Sequence, residues 1–287
     1  MDVVEEMLAR YPRSTDAENT NALREVMQEI ALAGLQRGGF FDQAAFYGGT
    51  CLRIFHGLPR YSEDLDFSLL RADKKFSFAP YLQKLTEEFA ALGFNVQISE
   101  KIKTADTDIA STFLKKTASR YDLKISGQRV LKIKFEVDTD PPLDFATEQK
   151  LLLQPYSFFV NCFALPDLFA GKVHALLFRQ WQNRVKGRDW YDFEWYLRKG
   201  TRLNLKHLAA LARQSGHFAG DVMSKNQLAE LLAARIEQID LESAREDVVR
   251  FLRSPEEINI WSKPFFHQLA EKAIASAIEA EGDTGSL

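Results

Sequence analysis

The 287-residue sequence predicts an α+β protein, with helices and strands mixed in the N-terminal half and a mostly α-helical C-terminal half. Two observations carry the prediction. Short stretches of alternating apolar and polar residues recur between residues 42 and 138, and from Pro166 onward apolar residues return at helical spacing. The expected domains are residues 1–160, an α/β part preceded by a helix, and residues 161–287, a helical part.

Each element has its own signal. Residues 18–38 (ENTNALREVMQEIALAGLQRG) have helical periodicity and run into Gly38-Gly39. A short strand over 42–47 leads to a helix over 49–57 and a strand over 63–70. In that strand Leu65, Phe67 and Leu69 alternate with Asp64, Asp66 and Ser68, as half-buried strands with a polar working face do. Residues 78–93 form an amphipathic helix through Tyr81, Leu82, Leu85, Phe89 and Leu92, stopped by Gly93. Segments 94–100, 108–115, 120–125 and 129–138 alternate like strands, and Pro141-Pro142 is expected to close the sheet. Helices follow over 166–182, 188–198, 204–216, 224–239, 242–251, 255–260 and 263–281, before a polar tail expected to be disordered.

Composition narrows the function classes. Apolar content of 46% and charged content of 27% are globular values. Cys51 and Cys162 lie far apart without a C-x-x-C, which points to neither a zinc site nor a disulfide framework. Nowhere are there about 18 consecutive apolar residues, and the acidic start MDVVEEMLAR does not read as a signal peptide. A cytoplasmic protein without a membrane span is expected. The net charge of −3 excludes a broadly basic nucleic-acid coat. Basic residues nevertheless crowd positions 101–134 and 179–188, compatible with a local RNA-binding surface or with solvated loops.

The most informative stretch is Phe46 to Leu69, FYGGTCLRIFHGLPRYSEDLDFSL. Gly48, Gly49 and Thr50 bring bare backbone, N–H groups and a hydroxyl to a helix N-terminus, a site suited to phosphates. Asp64 and Asp66 are two apart, so a strand places them on one face about 6.5 Å apart. Such a pair suits Mg²⁺ or Mn²⁺, hard cations that bind through a few carboxylates plus substrate phosphates. A phosphate cradle followed by metal-binding carboxylates is the logic of nucleotidyl transfer from an NTP. On Val130–Asp138, Lys132, Lys134, Glu136 and Asp138 share the polar face.

A second block, Leu165 to Leu197, starts a helix at Pro166 and Asp167 and places Lys172 between Leu168 and Leu176. That lysine is either snorkelling or aimed at a phosphate. Asp189 and Asp192 are helix neighbours, and Trp190, Tyr191, Phe193, Trp195 and Tyr196 read as core rather than as a base-stacking platform.

These blocks resemble the AbiEii/AbiGii toxin family of polymerase-β-like nucleotidyltransferases, related to the mycobacterial MenT toxins. The family pattern is matched by Gly48, Gly49, Thr50, Leu52, Arg60, Ser62, Asp64, Leu65, Asp66 and Phe67, and by Lys172 followed by Arg188, Asp189 and Asp192. The resemblance implies a polymerase-β-like N-terminal half with a mixed sheet, and a helical half that completes the nucleotide and acceptor site. It implies metal ligation by Asp64 and Asp66, a third carboxylate at Glu136 with Asp138 as the alternative, and catalytic roles for Lys172 and Asp189. Gly48, Gly49, Thr50, Arg60, Ser62, Lys172, Arg188 and Asp192 would bind the nucleotide. In MenT-type relatives the serine matching Ser62 is a phosphorylation site, and a phosphate there would repel a triphosphate. The implied acceptor is the 3′ end of tRNA, whose modification would block translation in a toxin–antitoxin or abortive-infection setting. The implied partner is a cognate AbiEi-like antitoxin encoded alongside. A small-molecule or protein acceptor on the same fold stays open, as does a non-catalytic nucleotide-binding regulator. The intact Asp64, Asp66 and Lys172 speak against the regulator.

Overall fold

The structure is a computed structural model that describes residues 2–100, 118–126, 131–179 and 185–278. Its N-terminal helices are α1 (Val3–Leu8), α2 (Asp16–Arg37), α3 (Gly48–His56) and α4 (Ala79–Ala91). Seven strands form one sheet: β1 (Ala44–Tyr47), β2 (Asp64–Leu69), β3 (Asn95–Glu100), β4 (Ala118–Ser126), β5 (Leu131–Asp138), β6 (Thr147–Leu152) and β7 (Phe158–Phe163). Their spatial order is β3-β4-β5-β2-β1-β7-β6. The sheet is mixed: β2 runs parallel to β5 and β1 parallel to β7, while the other neighbours are antiparallel. The α+β architecture with a mixed sheet and a helical C-terminal half is therefore present.

The described residues fall into two compact units. The first lies within Met1–Gly57, Tyr61–Pro141 and Thr147–Phe163, and the second within Leu58–Arg60, Pro142–Ala146 and Ala164–Leu287. In the first unit the alternation of β2 buries Leu65, Phe67 and Leu69, none more than 2% exposed. Phe67 meets Phe40 edge-on at 5.0 Å, Phe46 at 5.2 Å and Phe135 at 6.4 Å. Each buried Phe contributes about 1.5–3 kcal/mol by leaving water. Helix α2 begins with a capping box formed by Thr15 and Glu18. Three of its buried residues are polar or charged, and one of them, Gln28, 1% exposed, donates to the carbonyls of Ser62 (3.2 Å) and Glu63 (3.1 Å). That amide satisfies the backbone just ahead of β2 and holds the strand's start in place.

The second unit contains α5 (Leu165–Phe178), α6 (Gly187–Arg198), α7 (Leu205–Gln214), α8 (Lys225–Glu237), α9 (Leu241–Val249) and α10 (Lys263–Ser276). The aromatic run of α6 is core, as expected: Trp190, Tyr191, Phe193, Trp195 and Tyr196 are each 9% exposed or less. Tyr196 stacks on Phe169 at 4.5 Å, Trp190 meets Phe266 at 4.6 Å, and the indole of Trp261 donates to Glu194 at 2.8 Å.

The differences from the sequence expectation have physical causes. The sheet does not close at Pro141-Pro142, because β6 and β7 extend it on the β1 side. Strand β7 escapes the alternation test because five of its six residues are buried, a pattern typical of strands covered on both faces. The expected helix over 255–260 is a 3₁₀ turn, Pro255–Ile258, and α1 was not expected. The strand expected over 108–115, the last residues of the helices expected to reach 182 and 281, and the polar tail lie outside the described residues. Among the described residues no helix is long and apolar enough to cross a membrane.

Gly187 opens α6 against α9 with no room for a side chain, since a Cβ there would lie 1.8 Å from the carbonyl oxygen of Ala244. Gly187→Ala should therefore force the two helices apart and cost about 3 kcal/mol or more. Thermal and urea unfolding of the variant should show a midpoint several degrees lower; an unchanged midpoint would disprove this packing.

Candidate functional site

The first unit gathers its carboxylates through strand register. Asp64 and Asp66 share the polar face of β2, and the parallel pairing of β2 with β5 sets Lys134 opposite Asp64, Glu136 opposite Asp66 and Asp138 opposite Ser68. Paired parallel strands lie about 4.8 Å apart, so Glu136 is the acid on β5 nearest Asp66. Asp138 sits two pairs further along, where burial pushes its carboxyl up to about 6. Lys134 brings its Nζ to 3.7 Å from Asp64 Oδ1, with both side chains more than a third exposed, at 58% and 39%. An ion pair so open to water holds little energy. It does show a cation drawn to this carboxylate face.

Gly48 presses on that face from the other side. It has φ +82°, and a Cβ on it would lie 2.3 Å from Asp66 Oδ2 and 3.0 Å from Asp66 Cγ. Only glycine tolerates both the left-handed backbone and the contact. Bare backbone at the start of α3 thus lies directly against a carboxylate oxygen, and Gly49 beside it is buried. Thr50, expected to offer its hydroxyl to phosphates, instead donates it to the backbone carbonyl of Asp64 at 2.5 Å and is fully buried. It ties α3 to β2. Ser62 lies in the segment before β2, which begins at Asp64, so strand alternation does not set its direction. Its carbonyl is one of the two held by Gln28.

Asp64 and Asp66 are carboxylates of the kind that hard divalent cations take as ligands. Among the described residues no group of three or more His, Cys, Asp or Glu side chains is placed to hold a metal ion, so Glu136 does not join the pair in a ready-made site. Two or three carboxylates with water and phosphate oxygens completing the shell is the arrangement that Mg²⁺ favours over an all-protein cage.

The second unit carries a buried ion set. Arg60 is 2% exposed and pairs in parallel with Asp192, Nε to Oδ1 and Nη2 to Oδ2, both at 2.6 Å. Lys172 Nζ lies 2.9 Å from Asp192 Oδ2 and 3.2 Å from Asp189 Oδ1. The helix spacing of Asp189 and Asp192 thus does turn both to one lysine. Burial works against an ionised Asp189, but Lys172, Lys186 and Arg179 outweigh it and hold the carboxyl down at about 2. Asp192 is also lowered: burial opposes its charge, and Arg60 and Lys172 override that. Arg60 and Asp192, expected at a nucleotide, are instead locked to one another. Arg188 stacks its guanidinium over Phe251 at 4.2 Å.

The sequence reading missed Gln28 and Lys134. A polar residue at a core position of α2 marks Gln28, and the place of Lys134 follows once the β2–β5 register is known. The basic residues at 101–117, 129 and 184 lie outside the described residues, and nothing describes the side chains of Arg120 and Lys124.

The family model for the nucleotidyl transferase AbiEii toxin of a type IV toxin–antitoxin system matches residues 30–275. Among solved structures, a putative nucleotidyltransferase from Helicobacter pylori is 15% identical, with 88% of this chain and 93% of that chain covered and a TM-score of 0.51. JHP933 from Helicobacter pylori is 17% identical, with 92% and 94% covered and a TM-score of 0.54. MenT4, a nucleotidyltransferase toxin from Mycobacterium tuberculosis, is 14% identical, with 94% and 97% covered and a TM-score of 0.51. At such identities the likeness is one of fold. No curated protein matches the sequence.

The ion set makes two predictions about stability. Arg60→Met leaves Asp192 short of its strongest partner and should destabilise the protein by about 3–5 kcal/mol. A nucleotide-binding arginine would behave differently, losing NTP affinity at unchanged stability, and unfolding curves alongside NTP titrations separate the two. For Asp189, the folded carboxyl titrates at about 2 against about 3.9 in an unfolded chain. The stability its charge brings is complete above about pH 4 and is lost as pH falls towards 2. Wild type should therefore lose on the order of 2 kcal/mol more than Asp189→Asn between pH 5 and pH 2 in urea unfolding. Parallel pH profiles for the two proteins would refute the assignment.

Proposed function

Since the chain belongs to the AbiEii family of nucleotidyl transferase toxins, we propose that it moves a nucleoside monophosphate from an NTP to the 3′-terminal hydroxyl of a tRNA. One observation carries the reading: Asp64, Asp66 and Glu136 come together on a single polar face, with the bare backbone of Gly48 against Asp66. Asp64 and Asp66 would hold Mg²⁺ or Mn²⁺, which when bound supplies positive charge for the α-phosphate and the departing pyrophosphate. The backbone N–H groups at Gly48 and Gly49 open a helix and favour phosphate oxygens there. Glu136, paired in register with Asp66, would serve as the general base. The acceptor oxygen forms a bond to the α-phosphorus, the bond from that phosphorus to the α,β-bridging oxygen breaks, and the hydroxyl proton passes to Glu136.

Exposed Lys132 and Lys134 share the polar face of β5 with Glu136, which supports a polyanionic acceptor over a neutral small molecule. The family's type IV toxin–antitoxin setting supports an antitoxin partner, AbiEi-like and encoded alongside.

Incubation of the pure protein with each labelled NTP and total RNA tests the reading, and label should appear on tRNA. Label on protein or on a small product would replace the acceptor, and no label at all would overturn the activity. Asp64→Ala and Asp66→Ala should each lose at least about 10²-fold in rate, because several kcal/mol of transition-state charge stabilisation goes with the ligand. Their unfolding midpoints should stay near wild type, since both side chains are only half-buried. Undiminished transfer in EDTA would remove the metal from the mechanism.

A further inference from the structure

Asp64 stands at a corner of the sheet that only one neighbouring strand supports. Strand β5 pairs with β2 from Asp64 to Ser68, but β1 pairs with it only from Asp66 to Leu69. β1 ends at Tyr47, opposite Asp66, and the chain then turns into α3. Among the described residues no strand flanks Asp64 and Leu65 on that side, and Ser62 and Glu63 lie ahead of β2 altogether. Backbone of this kind opens easily unless other donors take its carbonyls.

Side chains supply those donors. The Gln28 amide donates to the carbonyls of Ser62 at 3.2 Å and Glu63 at 3.1 Å, and the Thr50 hydroxyl donates to the carbonyl of Asp64 at 2.5 Å. Three consecutive carbonyls are thus held by two residues from two helices, α2 and α3. Gln28 and Thr50 are 1% and 0% exposed, whereas the Asp64 side chain that they lead to is 39% exposed. Fixed backbone behind an open carboxylate is what a hard cation needs from its ligand. Mg²⁺ accepts only a narrow octahedral geometry, at about 2.0–2.1 Å, and a loosely held ligand forfeits it.

We propose that Gln28 and Thr50 are positioning residues of the transfer reaction: by holding the backbone from Ser62 to Asp64 they set where the Asp64 carboxylate meets a divalent cation. Each acts through the chain that carries Asp64, and neither is itself a ligand. Thr50 takes on the task that a ladder partner from β1 would perform, had β1 run two residues further. The inference rests on the reading of Asp64 and Asp66 as metal ligands. It adds that the aim of the pair depends on one amide and one hydroxyl behind it.

Calorimetric titration of the full chain with Mn²⁺, beside transfer assays over a range of Mg²⁺, tests the proposal. Gln28→Met keeps the length of the side chain and removes the amide. Thr50→Val keeps the shape and removes the hydroxyl, and Thr50→Ser keeps the hydroxyl. Gln28→Met and Thr50→Val should each weaken Mn²⁺ binding by about tenfold or more, as loss of a partner behind a metal ligand does. The Mg²⁺ required for half-maximal transfer should rise by the same factor, while KM for NTP at saturating Mg²⁺ stays at the wild-type value. Thr50→Ser should bind Mn²⁺ like wild type. A merely structural pair would lower the melting temperature and leave Mn²⁺ affinity alone. Should Gln28→Met fail to fold, Thr50→Val and Thr50→Ser decide the matter. Unchanged Mn²⁺ affinity in folded Thr50→Val, or an equal loss in Thr50→Ser, would overturn the inference and leave the metal assignment standing. No Mn²⁺ binding by wild type, or wild-type binding by Asp64→Ala, would remove the metal assignment and the inference with it.

Discussion

The contact between Gly48 and Asp66 is the constraint on which the first unit's working face depends. β1 must end, turn through a left-handed residue and begin α3 within van der Waals reach of a carboxylate on the neighbouring strand. Every nearby feature serves that approach. Thr50 fastens the first turn of α3 to the backbone of Asp64, and Arg53 further along the helix pairs with Glu25 of α2 at 2.8 Å. Gln28 fixes the chain just before β2. The aromatic packing around Phe67 holds β2 from the opposite face, so the acidic side chains stand on a strand that cannot shift register without expelling its core.

The second unit solves a different problem. It keeps three charges out of water and a fourth, on Lys172, mostly so, and geometry decides whether that succeeds. A parallel two-bond pairing between Arg60 and Asp192, with Lys172 bridging to Asp189, satisfies each carboxylate through charged donors. The carboxyls stay ionised despite burial because the cations outweigh desolvation. Replacement of such a set by packed apolar groups is often neutral to stability, whereas removal of one partner is not.

Legibility in the sequence followed the range of the interaction. Alternation in DLDFSL placed Asp64 and Asp66 together because strand periodicity is local, and the same rule found the polar face that carries Glu136. Helix periodicity found α2, α4 and most of the second unit. What stayed hidden was pairing across distance. Arg60 and Asp192 are 132 residues apart, and no local pattern tells a buried, paired arginine from one waiting for a ligand. Thr50 shows the same limit at short range. A hydroxyl at a helix start suits a phosphate and a neighbouring carbonyl equally well, and only the approach of β2 decides between them.

The placement of Leu58–Arg60 in the second unit has a consequence for how this protein can be divided. The chain leaves the first unit, contributes one arginine to the other, and returns at Tyr61 before the acidic strand begins. A fragment starting at Ala164 would lack that guanidinium, leaving Asp192 and Lys172 to face each other without it. A single exchange point before Ala164 therefore parts the helical stretch from two upstream pieces of its own unit, Leu58–Arg60 and Pro142–Ala146, the first of them more than a hundred positions away.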